Sequence, residues 1–254
     1  NCRKNQNAFF CENRVSPSRT KDRRGYYGYR GASQFKAAKA RELFKFSENI
    51  SFTEMAFLEP LATVLQGIDR LRLKVEEWVL VVGAGTMGLL TAQAARLSGY
   101  RVIISDLLEK KIKTAEALGF TYVLNAASND YLNKIREITG GRGPDSIAFT
   151  VSSSEVYRQA FEIAPKGCRF LFFASGYPCP ELEINPNSVH YNLWEFIGTF
   201  GARVQDFQLA SELINNRLVN LIPLVEQEFN LDHLQAAFEK ASEPESYRVS
   251  LILS

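Results

Sequence analysis

The chain has 254 residues, 46% of them hydrophobic and 23% charged, which are ordinary values for a globular protein with apolar material for one large or two smaller domains. Its 30 basic and 28 acidic residues nearly cancel to a formal net charge of +2, which gives no reason to expect nucleic acid or an anionic membrane as the main partner. Four cysteines in a chain this long are not a disulfide framework, no apolar run approaches a bilayer span, and the polar N-terminus has no secretory core, so the expected compartment is the cytoplasm.

The chain opens on Asn1 rather than methionine, which reads as removal of a segment or as a piece of a longer protein. The stretch Arg14 to Gly31 is rich in Arg, Lys, Gly and Tyr and has no period. It could grip phosphates, but a solvated loop is the preferred reading. Ser51-Phe52-Thr53-Glu54 is a capping box, with a hydroxyl at the N-cap and a carboxylate three residues on. The helix it starts is expected to continue through Leu58, Leu61 and Leu65, with Pro60 kinking or dividing it.

A regular alternation follows. Val79 to Val82 is an apolar strand ending in Gly83, and Met87 to Leu97 has helical spacing. The pattern then gives strand Val102–Ile104, helix Glu109–Leu118, strand Tyr122–Leu124, helix Tyr131–Thr139, strand Ser146–Val151, helix Val156–Ala164, strand Arg169–Phe173, a sixth strand around Phe196-Ile197, and helix Phe207–Asn216. Strands alternating with helices require crossover connections, so the expected fold is α/β with a doubly wound parallel sheet covered on both faces. The tail changes style, with a helix over Leu231–Ala241 and a β-like run from Arg248 to Leu253, and is read as a return to a second domain.

Gly83-Ala84-Gly85-Thr86-Met87-Gly88 is the sharpest motif. It follows an apolar strand and opens a helix, the context in which GxGxxG binds a dinucleotide. Gly83 permits the tight turn, Gly85 lets the backbone approach a pyrophosphate, and Gly88 allows close helix–strand packing. The N–H groups of Gly85, Thr86 and Met87 would face the phosphates. Asp106 lies 23 residues after Gly83 at the end of the second strand, where a carboxylate accepts ribose hydroxyls and repels the extra phosphate of NADP. Leu107 follows it, and Lys110 and Lys111 fall on a helix, so NAD is favoured. The plainer alternative is that the glycines make a turn and Asp106 a cap.

The sequence resembles the medium-chain dehydrogenases, in particular the zinc-dependent sorbitol, threonine and polyol branch. The matching stretches are Phe57-Leu58-Glu59-Pro60-Leu61-Ala62, the glycine loop, His190-Tyr191 with Glu195, Gly198-Thr199-Phe200-Gly201, and Leu231 to Leu253. The resemblance implies a partial GroES-like, β-rich catalytic domain over 1–62, a Rossmann domain over 63–217, and a return to the catalytic domain over 218–254. It implies oxidation of a secondary alcohol to a ketone, with zinc polarising the alcohol oxygen and NAD taking the hydride. It gives Glu59 a catalytic place as zinc ligand or holder of the zinc-bound water, and places Thr63, Ser175 and Thr199 near the cofactor. Cys11 is implied as a remnant of a structural zinc lobe. The implied partners are a small alcohol or polyol and further copies of the chain, as a dimer or tetramer. Glu183 to Phe200 would supply the interface edge.

The sequence also departs from that pattern. The early cysteine and His-Glu pair that complete a catalytic zinc site have no counterpart, and His190 and His233 do not replace them. Cys2 and Cys11 are too few for a tetrahedral zinc site, and Cys168 and Cys179 come too late in the chain to complete one. Lys74-Val75-Glu76-Glu77-Trp78 stands where the family carries a glycine turn. The chain is therefore expected not to run alcohol chemistry alone. A non-catalytic NAD(H)-binding module is the alternative, and a zinc-free reductase a third.

Overall fold

Strand β1 (Trp78–Val82) is apolar and buried at all five positions, which demands cover on both faces and a place in the middle of a sheet. The structure, a computed structural model describing residue 40 and residues 43–253, places it there. Around it lie β2 (Arg101–Asp106), β3 (Tyr122–Asn125), β4 (Ser146–Phe149), β5 (Arg169–Phe172) and β6 (Glu195–Gly198). All pair in parallel, in the order β3-β2-β1-β4-β5-β6. This is the doubly wound sheet that the alternation implied. The order reverses between β1 and β4, and ligands of such sheets bind in the crevice beyond the strand ends at that point.

Alternate strand residues supply the two halves of the core. Val79, Val81, Ile104, Ala148 and Leu171 face one way, against helices α2 (Leu58–Leu71), α3 (Thr86–Leu97) and α8 (Val204–Asn215). Leu80, Ile103, Ile147, Phe149 and Phe170 face the other, against α5 (Tyr131–Ile138) and α6 (Ser154–Ile163). Phe149 is fully buried among the rings of Tyr157, Phe170 and Phe172.

Several expected boundaries move, each for a local reason. The capping box forms as read, but the helix it starts, α1 (Phe52–Met55), stops after one turn. The division falls at Ala56-Phe57, before the proline. Pro60 then sits in the first turn of α2, where N–H groups have no intrahelical acceptor and its missing donor costs nothing. α2 runs unbroken across the 62/63 boundary. The fourth strand ends at Phe149 rather than Val151, which frees Thr150 and Val151 for the loop beyond it. The tail helix expected from Leu231 begins as a 3₁₀ turn and becomes α9 only over Leu234–Ala241. α4 (Glu109–Ala117) lies close to its expected place. Arg14–Gly31, Cys2 and Cys11 lie outside the described residues.

Two elements were not anticipated. Helix α7 (Pro186–Asn192) has the signals, since the Asn185 side chain caps the Asn187 N–H at 2.9 Å and Pro186 takes the first position. Strand β7 (Val225–Asn230) has almost no apolar pattern, yet it pairs in parallel with β8 (Arg248–Ile252) to form a separate two-stranded sheet joined by α9. No helix among the described residues is long and apolar enough to cross a membrane.

A turn closes before β1 without glycine. Glu77 N–H donates to the Lys74 carbonyl at 3.1 Å, and Glu76 between them adopts φ 71°. A side chain in this left-handed region costs about 1–2 kcal/mol. The exposed Glu76–Arg101 ion pair returns little of that. Glu76→Gly is therefore expected to raise the unfolding free energy by about 0.5–1 kcal/mol, read as a higher urea midpoint at unchanged slope.

Candidate functional site

Gly83 follows β1 with φ 101°, and its N–H donates to the Ser105 carbonyl of β2 at 2.8 Å. A Cβ on Gly83 would come within 2.8 Å of Thr150 and Val151. A Cβ on Gly88 would lie 1.8 Å from the Gly83 carbonyl oxygen, so α3 rests directly on the loop backbone. Both glycines are demanded by the protein itself. Gly85 is different. Its φ of −71° suits any residue, and among the described residues beyond its chain neighbours the atom near its missing Cβ is the Lys111 ammonium nitrogen at 3.7 Å. The fold does not need glycine there, so a tight turn alone does not account for the motif.

Each peptide of the loop is held at one end or both. Asp106 accepts the Ala84 N–H at 2.6 Å through one carboxylate oxygen and the Leu108 N–H at 2.9 Å through the other. Thr150 donates to the Val82 carbonyl at 2.8 Å and the Gly83 carbonyl at 3.2 Å. Because a trans peptide points its N–H and C=O in opposite directions, Asp106 and Thr150 grip the two ends of the Gly83–Ala84 unit. The first-turn N–H groups of α3, from Thr86 and Met87 onward, have no intrahelical acceptors and form the positive end of the helix dipole. Asp106 has two of its roughly four acceptor positions in use, which leaves room for hydroxyls.

Beside the loop lies a cavity of about 340 Å³, bordered by Gly83, Asp106, Leu107, Val151, Ser152 and Tyr131. Leu107 and Val151 stand partly exposed at its border, while Tyr131 is buried and bonds to Ser105 at 2.9 Å. Burial pushes the Tyr131 phenol up to about 12, against the Ser105 bond, so it stays protonated.

The other expected residues fall outside this cluster. Thr63 donates to the Pro60 carbonyl at 2.8 Å, a helix hydroxyl bonding back. Thr199 donates to the buried Gln66 of the same helix at 2.8 Å. Ser175 is exposed, although its neighbour Gly176 lies against Ser152, where a Cβ would come within 3.0 Å.

Glu59 is exposed in the first turn of α2, and its charge acts on Arg248 of β8. Burial lowers the Arg248 pKa and Glu59 opposes that shift. The guanidinium carbon lies 5.4 Å from the Phe57 ring centroid. Among the described residues no three His, Cys, Asp or Glu side chains converge as metal ligands. His190 and His233 are exposed on separate elements, Cys168 is buried and Cys179 is exposed. The described residues therefore do not fit a zinc ion, and a cation already in the field of Glu59 disfavours another there.

Sequence reasoning missed Lys111, Thr150 and Arg248. Although Lys111 lies on a helix, the first turn of α4 brings its ammonium within 3.7 Å of the position a Gly85 Cβ would take. A lysine five residues after the strand-end aspartate was the available signal. Lys110, its neighbour, is held by both oxygens of Glu226 at 2.8 Å.

The zinc-binding dehydrogenase profile matches residues 86–216, just over half of the chain. The chain belongs to that family, within the medium-chain dehydrogenase superfamily that its motifs resemble. It is 29% identical over 204 residues to D-xylulose reductase from Morganella morganii, covering 79% of this chain and 59% of that enzyme. An alcohol dehydrogenase from Escherichia coli CFT073, solved with NADH, superposes at TM-score 0.72 with 16% identity, over 81% of this chain and 61% of the other. A Sinorhizobium meliloti 1021 protein solved bound to NADP does so at TM-score 0.73 with 24% identity, over 82% and 62%. These likenesses carry the fold alone. The chain spans about 60% of the length of the first curated relatives it matches.

The two flanking glycine positions should behave differently. Gly85→Ala is expected to stay within about 1 kcal/mol of the parent in urea unfolding. Gly88→Ala, which drives a methyl group into a carbonyl, is expected to lose about 1–3 kcal/mol or more.

Proposed function

We propose that this chain is the cofactor-binding, C-terminal portion of an NAD(H)-linked alcohol or polyol dehydrogenase. The observation that carries the reading is Gly85, open on its ligand side, unneeded by the fold, and faced by the Lys111 ammonium. A dinucleotide accounts for that combination. Its pyrophosphate would take the free N–H groups at the start of α3 and the charge of Lys111. Asp106 would accept adenosine ribose hydroxyls, and the cavity flanked by Leu107 and Val151 would take a flat base. A carboxylate at that ribose disfavours a 2′-phosphate, so NAD is the preferred form.

Bound NAD supplies the hydride acceptor for converting a secondary alcohol to a ketone. This chain's own residues bind and orient it, with Ser175, Thr63 and Thr199 bordering its nicotinamide end. D-xylulose reductase and sorbitol dehydrogenase among the relatives support a small alcohol or polyol as substrate. In this reading 63–217 is the dinucleotide unit, while 1–62 and 218–254 belong to a catalytic domain. Glu59, and Cys11 for a structural site, would serve zinc only together with ligands from elsewhere in a longer protein. A homo-oligomer in the cytoplasm completes the proposal. The second reading, an NAD(H)-binding module without catalysis, draws on the lack of converging metal ligands among the described residues.

Titration with NADH and NADPH, followed by nicotinamide fluorescence with zinc assayed on the same sample, tests this. Tighter NADH binding is expected. Tighter NADPH binding would remove Asp106 from its role, and no binding of either would end the cofactor reading. Lys111→Met should weaken NADH about three- to tenfold and flatten its salt dependence, and Gly85→Ala should weaken it at least tenfold without unfolding the chain. Secondary-alcohol oxidation by a longer form carrying a complete ligand set would decide between enzyme and module.

A further inference from the structure

One element of the tail reaches the glycine loop. The Tyr247 hydroxyl, 6% exposed as a residue, lies 3.3 Å from the Ala84 carbonyl oxygen and donates to it. Burial raises the phenol's pKa above its ordinary value, and the charges of Asp106 and Glu226 add to the rise while the Thr114 hydroxyl opposes it, so the group remains a donor. The other end of the Ala84 peptide is the Gly85 N–H. With the carbonyl drawn toward Tyr247, a planar trans unit turns that N–H the opposite way, away from the tail. Asp106 and Thr150 fix the preceding peptide. Tyr247 is the partner the structure provides for this one.

Tyr247 is itself held by Glu226. The register of β7 on β8 slips between Val225 and Gln227, which leaves Glu226 as the extra residue of a bulge. Bulges turn a side chain out of the ladder. Here the carboxylate accepts the Tyr247 N–H at 3.1 Å and the Lys110 ammonium at 2.8 Å, with Lys240 at 3.6 Å. The Lys110 nitrogen also lies 5.8 Å from the Tyr247 ring centroid. Glu226 is largely shielded, with its side chain 12% exposed. The tail is thus joined to helix α4 beside the same loop.

We infer that Tyr247 is a positioning residue for the pyrophosphate subsite: it orients the Ala84–Gly85 peptide so that the Gly85 N–H faces the phosphates, and Glu226 with Lys110 sets where Tyr247 stands. This rests on the dinucleotide reading above. It makes phosphate affinity at the glycine loop depend on a strand pair far away in sequence.

The test compares wild type, Tyr247→Phe, Glu226→Ala and the double variant, with NADH, ADP-ribose and adenosine as probes and thermal melting alongside. Tyr247→Phe keeps the ring and removes only the hydroxyl. Its NADH and ADP-ribose affinities should fall about three- to tenfold, the worth of one hydrogen bond, with adenosine binding unchanged. Glu226→Ala should lower the same two affinities, and the double variant should lose less than the two singles combined. Unchanged NADH affinity in Tyr247→Phe, an equal loss for adenosine, or fully additive losses would overturn the inference while leaving the cofactor reading intact. Failure of the wild type to bind NADH or ADP-ribose would instead remove the cofactor reading, and this inference with it.

Discussion

The approach of α3 to the backbone of the loop before it is the constraint on which the site depends. Gly88 sits so close to the Gly83 carbonyl that no side-chain carbon fits between them. That contact brings the helix N-terminus to the end of β1, at the point where the sheet order reverses. Everything placed around it follows. The unpaired N–H groups collect where the chain order leaves a crevice, and the neighbouring strands β2 and β4 contribute Asp106 and Thr150 from either side.

The loop is held from several directions rather than by its own conformation. Asp106 comes from β2, Thr150 from just past β4 and Tyr247 from the tail. Each pins one polar end of a peptide whose opposite end is thereby aimed. A loop fixed in this way needs little reorganisation to receive a ligand. The cost is that the site is not a property of one segment. The tail bears on it through a single hydroxyl and one shielded carboxylate.

The family and the metal chemistry separate at this point. Residues 86–216 carry the zinc-binding dehydrogenase match and run from the start of α3 to the end of α8. Glu59, the described residue on which the resemblance places catalytic zinc chemistry, stands exposed and in the field of Arg248. Nucleotide binding can be argued from side chains that meet one another. Zinc chemistry would require groups that do not meet among the described residues.

The amino-acid sequence by itself determined the α/β alternation, the burial of β1 and the glycine loop, because a strand buried on both faces must be apolar throughout and a helix packed on backbone must lack a side chain. It also placed Asp106 and the capping box, since their spacing is local. It left β7 invisible, because a short strand with polar residues carries no period, and it put the helix break at Pro60 rather than before it, because only the observed start of α2 makes that proline harmless. Thr150, Arg248 and Tyr247 were decided by tertiary structure alone. Their roles come from which backbone atom or charge each one faces, and that depends on crossover connections and a strand pairing that bring together residues as far apart as Ala84 and Tyr247. Local spacing encodes what a segment must become, while the partners of its polar groups are set only when distant segments meet.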